Sequence, residues 1–325
     1  MSTNEIARVQ FNIGCAISTD MYYMSCAFVH SSETDSYSRM YFYQDKTPGK
    51  WFYHDLPGWN VISTAFPPGQ PVSTRKVYAL SEEGDVECFG RDITTYEKIA
   101  DAGVSKSSKL YGYVNKISFI FDTLYVCGHR GQVYKRTPEG WVHFDEGLLQ
   151  DEITITPGAP GDFMEQVSQL IETTISLFDI NGVQNDIYTV GANGFIAHQN
   201  GSAWSVLPKQ TVADLHAINV HRGDVLVVGA RATILYGNAS AGFRVLGGHA
   251  VDVDFYSVAL FNDTYYIGAS DGVYTLSRNV LAKVNIEAKE VTGVESIDGV
   301  IWALASDKLL RFSEGGWEVF THIDN

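Results

Sequence analysis

The sequence predicts an all-β fold, a seven-bladed β-propeller of four-stranded antiparallel blades running as a single domain across residues 1–325. Three observations lead there. An apolar run stopping just before a polar turn recurs at Val126-Cys127-Gly128, Val190-Gly191, Val228-Gly229, Ile267-Gly268 and Leu304-Ala305, with spacings of 38, 39 and 37 residues between the last four. About thirteen residues further on, each run is followed by a bulky residue: Trp141, Trp204, Phe243, Leu281 and Trp317. Each is preceded by another strand ending in a turn, at Phe121-Asp122, Asn181-Gly182, Arg222-Gly223, Asn262-Asp263 and Asp298-Gly299. A unit of this size cannot bury its apolar faces alone and must stack on its neighbours. Radial stacking of four-stranded sheets leaves only short, protected edges.

The clearest unit is Ile187–Leu207. It is a β-rich run turning at Gly191-Ala192-Asn193-Gly194, an extended Phe195–His198, a turn at Asn200-Gly201 and a last strand opening at Trp204. That is the turn chemistry of a meander. Applied along the chain, the template places blades at about 9–54, 59–99, 113–145, 174–207, 215–247, 254–287 and 291–320, each with strands a to d. The last blade ends on its own outer strand, at Trp317–Phe320. The ring is therefore expected to close by packing blade seven against blade one rather than by a strand shared between the termini.

Two segments break the rhythm. Ser31–Tyr37 is a polar loop between strands b and c of blade one. Near 147–172 the spacing from Gly128 to Gly191 stretches to 63 residues. There the turn-rich Thr156–Gly161 precedes Phe163, Val167, Leu170 and Ile171, which share one helical face behind a capping Asp162. A loop with a short helix is expected, and long structured insertions in compact folds are more often functional than not.

Composition narrows the function. Aromatics are abundant (18 Tyr, 17 Phe, 6 Trp), as strands require, and no run of 18 apolar residues could span a membrane. The four cysteines, Cys15, Cys26, Cys88 and Cys127, lack C-x-x-C spacing and sit in apolar runs, which reads as buried reduced thiols. MSTNEIARVQF shows no basic stretch followed by an apolar one, so no secretory signal is read and a cytoplasmic protein is expected. With 23 basic and 38 acidic side chains the net charge is −15, which argues against a nucleic-acid partner and fits either solubility or a cationic partner. From Thr137 to Pro208 there is no Lys or Arg, while ten acidic residues stand in that stretch.

The units GHRGQVYKRTPEGWVHF and GANGFIAHQNGSAWSVL resemble the repeats of photosystem-II-assembly-factor-like and sialidase-type (BNR) propellers, through a V-G-x-x-G-x-I/V core and a following Trp. The likeness covers about residues 113–320. It implies the propeller fold and leaves open binding or glycan hydrolysis. The Asp-box pattern S-x-D-x-G-x-x-W is intact nowhere; Ser313–Trp317 and Thr137–Trp141 are echoes of it.

No catalytic constellation stands out. A glycan-hydrolysing site would need clustered arginines, a Tyr nucleophile with a Glu partner and an acid, whereas Arg91, Arg136 and Arg278 fall on outer strands or turns. The nine histidines show no metal-ligand spacing, and His249, Asp252 and Asp254 read as solvated loop residues rather than a metal site. No Gly-rich loop opens a helix as a phosphate site requires. No metal or cofactor is expected.

In such a ring the d–a and b–c loops share one face. That face collects Glu33, Asp35, Glu82, Glu83, Asp101, Asp151, Glu152, Asp162, Asp214, Asp252, Asp254 and Asp271, with the aromatics Tyr37, Trp59 and Phe163. Some cations stand among them (Lys106, Lys109, Arg130, Arg231), so the field is biased rather than uniform. The opposite face holds Lys46, Lys50, Arg75, Lys76, Arg91, Arg222 and Arg278. An acidic face dotted with aromatics suits a basic protein, since charge sets on-rate and register while aromatics anchor. The expectation is a non-catalytic interaction propeller, monomeric on its own, with an inhibitor or immunity protein capping a basic toxin domain as the concrete version. The alternatives are a BNR-type glycan-binding or glycoside-hydrolysing propeller and an assembly-factor platform.

Overall fold

The computed structural model describes residues 8–28, 36–105, 108–109, 111–151, 173–201, 203–247 and 251–322. Blade one is β1 (Val9–Ser18), β2 (Met21–Phe28), β3 (Tyr37–Gln44) and β4 (Trp51–Pro57). Blade two is β5 (Val61–Ala65), β6 (Lys76–Ser81), β7 (Asp85–Gly90) and β8 (Thr94–Lys98). Blade three is β9 (Val114–Ile120), β10 (Thr123–Gly128), β11 (Val133–Thr137) and β12 (Gly140–His143). Blade four is β13 (Leu177–Val183), β14 (Asp186–Gly191), β15 (Ile196–Gln199) and β16 (Trp204–Val206). Blade five is β17 (Leu215–His221), β18 (Asp224–Gly229), β19 (Thr233–Asn238) and β20 (Gly242–Val245). Blade six is β21 (Phe255–Phe261), β22 (Thr264–Ala269), β23 (Gly272–Ser277) and β24 (Val280–Lys283). Blade seven is β25 (Gly293–Ile297), β26 (Val300–Ala305), β27 (Lys308–Ser313) and β28 (Gly316–Phe320).

Every sheet is an antiparallel meander of four consecutive strands. The inner strands β1, β5, β9, β13, β17, β21 and β25 each touch the next in order, and β25 touches β1, which makes a closed seven-membered ring. The bulky residues of the repeat, Trp141, Trp204, Phe243, Leu281 and Trp317, lie on the outer strands. Each junction between neighbouring blades holds its own buried apolar cluster, so the core is itself a ring around a polar channel.

The turn opening the Gly191 motif is a short 3-10 segment, Ala192–Gly194. Glycine is needed at Gly191 and Gly229 because a Cβ there would collide with the carbonyl oxygens of Ser176 and Asp214, at the start of the neighbouring inner strand. The residue just ahead of each of these inner strands is thereby seated against the b–c turn of its own blade. The backbone completes the contact, with Ala192 N donating to Ser176 O (2.9 Å) and Ala230 N to Asp214 O (2.8 Å).

Among the described residues no strand is shared between the termini; the ring closes by packing, side-chain bonds and a backbone bond from Phe11 N to Ser306 O at 2.9 Å. Tyr22, Tyr41 and Tyr43 of blade one bury against Trp302, Leu304 and Leu309 of blade seven. Tyr43 lies 4.7 Å from Phe320, and Trp302 Nε1 donates to Ser18 O at 2.9 Å. Arg311 spans the seam, donating to Thr19 O and to Asp45 Oδ2, both at 2.9 Å, with its guanidinium over the Trp302 and Phe320 rings. All four cysteines are buried and none is disulfide-bonded; burial pushes the Cys15, Cys26 and Cys127 thiols well above their usual range.

Candidate functional site

The central channel forms a cavity of about 490 Å³ lined by the inner strands. An inner strand has a neighbour on one side only, so its other edge presents unpaired N–H and C=O groups, which are costly when buried. The chain solves this with side chains of the preceding blade. At the mouth, Asn115 Nδ2 donates to Leu177 O (2.7 Å), His216 Nδ1 to Phe255 O (2.9 Å) and Thr292 Oγ1 to Asn12 O (2.6 Å). Deeper, Ile117 N donates to Ser63 Oγ (3.1 Å), Ile218 N to Asp179 Oδ2 (3.0 Å) and Ala16 N to Glu295 Oε2 (2.5 Å). Each of these bonds joins a blade to the next one round the ring.

The channel contains one cation near two carboxylates. Lys116 Nζ lies 4.0 Å from Asp179 Oδ1. Burial raises the Asp179 carboxyl, with the Lys116 charge and the backbone donors Ile218 and Ile180 pulling the other way. Burial likewise pushes Glu295 up to about 6, against the bond from Ala16 and the charge of Lys116. No arginine lines this cavity. Sequence reading missed these groups. Their signal was a polar residue recurring every second position in an otherwise apolar inner strand, as in Leu177-Phe178-Asp179-Ile180-Asn181.

A register shift in six of the inner strands skips one residue near the start, and two of the skipped residues, His216 and Tyr256, line the channel. In blades four to six the skipped residues are Phe178, His216 and Tyr256, a row with ring centroids 6.1 and 5.9 Å apart. Each directly follows the first apolar residue of its inner strand (Leu177, Leu215, Phe255), a repeat position that would have revealed the row.

Around this mouth lie the predicted partner-binding residues, in two arcs rather than one patch. In the first arc, at blades one and two, half-buried Trp59 packs edge-on to Tyr96 at 5.9 Å. Beside it, Glu82 Oε2 accepts from Asn60 Nδ2 (2.8 Å) and Glu83 Oε2 from Val104 N (3.0 Å). In the second arc, at blades five and six, Asp254 Oδ1 accepts from Arg231 N (2.9 Å) and Asp271 pairs with Lys283 Nζ at 2.5 Å. Asp214 makes the bond equivalent to that of Asp254, to Asn193 N at 2.8 Å. Asp214 and Asp254 thus brace the b–c turn of the preceding blade, whereas Asp271 pairs within its own blade. Asp151 and Asp252, by contrast, are exposed and their carboxylates hold no partner, as do those of Glu146 and Glu287 among the described residues. Glu33, Asp35, Glu152, Asp162 and Phe163, with the predicted helix, lie outside the described residues. Among the described residues no group of three or more His, Cys, Asp or Glu is arranged to hold a metal ion.

The fold and this mouth define a seven-bladed propeller with a side-chain-latched channel and a rim of free carboxylates. By sequence the chain is similar to the immune protein Tsi7 of Pseudomonas aeruginosa, 26% identical over 276 residues, 83% of this chain and 82% of that one. No protein-family model matches the chain. Among solved structures it is similar to a virginiamycin B lyase from Staphylococcus aureus (TM-score 0.62, 10% identity, 99% of this chain and 98% of that one). It is also similar to the WD40 propeller domain of Doa1 (TM-score 0.57, 13% identity, 93% and 92%). At these identities the structural likenesses concern the fold alone.

Proposed function

We propose that this propeller is an immunity protein, a cytoplasmic, monomeric inhibitor that binds a toxic protein and silences it without turning over a substrate. The observation that carries this reading is the similarity to an immune protein along four-fifths of both chains. The carboxylates of Asp151, Asp252, Glu146 and Glu287, unpartnered among the described residues, support a cationic toxin surface as the target, with Trp59 and the Phe178–His216–Tyr256 row as aromatic anchors. The non-catalytic reading is supported by the channel, where Asp179 and Glu295 are tied to the backbone of the next blade. The blades descend, on this view, from sialidase-type repeats whose Asp-boxes have decayed; Trp141, Trp204 and Trp317 still stand on the outer strands of blades three, four and seven.

The test is co-expression with the product of the adjacent gene. That product is expected to arrest growth when expressed alone, to be silenced by this chain, and to co-purify with it in a complex that high salt weakens. A neighbour that is harmless, or a toxin that remains active and unbound beside this chain, contradicts the reading.

A further inference from the structure

The face opposite the acidic rim carries an aromatic side chain that the fold neither needs nor favours. Phe121 and Asp122 form the two-residue turn between β9 and β10, with Ile120 paired to Thr123 across it. Phe121 has φ 59° and is 66% exposed. A bulky residue is disfavoured in the left-handed region, and other blades turn here on Arg222-Gly223, Asn262-Asp263 and Asp298-Gly299. An exposed phenyl ring held in a strained turn contributes little to folding, and strain retained in this way points to function.

Its surroundings mix apolar side chains with polar ones, among them Asp122 and Arg136, and basic side chains lie beyond. Beside the hairpin runs the long a–b connection of blade two, residues 66–75, where Pro67, Pro68 and Gln70 meet Phe119, Asp122 and Thr123 around a second cavity of about 260 Å³. Val72 on that connection and Ile93 on the neighbouring c–d turn are 68% and 65% exposed. Three cations follow at the start of β6 and the end of β7. Lys76 is exposed and makes no ion pair among the described residues. Half-buried Arg75 donates to Met21 Sδ (3.8 Å) and lies over the Phe66 ring, its Nε buried and unpartnered. Arg91 reaches Asp92 at 4.0 Å, with both side chains largely exposed.

We infer that the Phe121 hairpin, the 66–75 connection and the Arg75–Lys76–Arg91 cluster form a second docking surface, for an acidic peptide segment of a partner protein that carries an apolar anchor. The anchor fills the cavity beside Phe121, and the segment's carboxylates meet the three cations. The surface is independent of the toxin reading, because it lies on the other face of the ring.

The probe is a fluorescent synthetic peptide with a central leucine–tryptophan pair flanked by three glutamates on each side, followed by fluorescence polarisation. Wild-type protein is expected to bind it, and a peptide with lysines in place of the glutamates should not bind. Phe121→Gly removes the ring and relieves the turn, so binding should fall at least about tenfold while the melting temperature holds or rises. Lys76→Glu with Arg91→Glu should weaken binding about tenfold and flatten its salt dependence. Phe121→Tyr should retain binding. Unchanged binding by Phe121→Gly, or a lowered melting temperature showing a structural role for the ring, overturns the inference. So does self-association that Phe121→Gly abolishes, which would assign the face to a second copy of the chain. Loss of toxin silencing in Phe121→Gly would assign the surface to the toxin and equally overturn it.

Discussion

The carboxylates of the channel wall and those of the rim are the same functional groups put to opposite uses. Asp179 and Glu295 are enclosed, their acidity weakened by burial, and each accepts a backbone N–H from the next blade. Asp151 and Asp252, on d–a loops, are exposed, and their carboxylates hold no partner among the described residues. Between these extremes stand Glu82, Glu83, Asp214 and Asp254, which look like surface acids and serve as braces for loops and turns. Net charge does not sort these roles. What sorts them is whether a carboxylate sits where the repeat leaves a backbone donor unpaired.

If enclosed groups at the blade junctions hold the ring together, the largest losses should come from its closure. Trp302→Ala empties the space between blades seven and one and unseats the bond to Ser18 O. A loss of about 3–5 kcal/mol is expected by urea unfolding, as for other large-to-small core changes. Asp179→Ala leaves the Ile218 and Ile180 N–H groups without their acceptor. It should cost about 2–3 kcal/mol, and Asp179→Asn, which keeps one of the two acceptor oxygens, should recover only part of it. If Asp179→Ala proved as harmless as a rim substitution, the comparison would collapse.

The blades were legible in the sequence because their signals are local: an apolar run, a turn at fixed offset and a bulky closing residue recur whatever the surrounding fold. The channel was not. Which residue of an inner strand faces the axis depends on the skipped residue near its start, and a register shift leaves no mark in composition. Asp254 and Glu83 were misleading for the converse reason. Polar residues in loops read as solvent-facing, and only the placement of the preceding blade's turn, or of the loop that follows, reveals the N–H groups they serve. Asp214-Leu215 and Asp254-Phe255 stand at one repeat position just ahead of the inner strand, which is the pattern that would have flagged them.

Acidity sharpens the contrast at the next level of magnitude. The folded-state pKa of Glu295, about 6, lies above that of an exposed glutamate, so the group contributes stability that is complete below the exposed value and is lost as pH rises through about 6. Lowering the pH from 7 to 5 should therefore stabilise the wild type relative to Glu295→Gln by about 1–2 kcal/mol, read as the difference between their unfolding curves. The rim should show no such effect. Asp151→Lys with Asp252→Lys should alter unfolding by less than about 0.5 kcal/mol at any of these pH values, since neither carboxylate holds a partner.

That same pair of rim positions gives the most direct test of recognition by free carboxylates. The dissociation constant of the cognate toxin should be measured for the wild type and for Asp151→Lys with Asp252→Lys, at low and physiological salt. At least tenfold weaker binding at low salt, carried by slower association in a variant that melts like the wild type, is the predicted result. Affinity and salt dependence that match the wild type would contradict it.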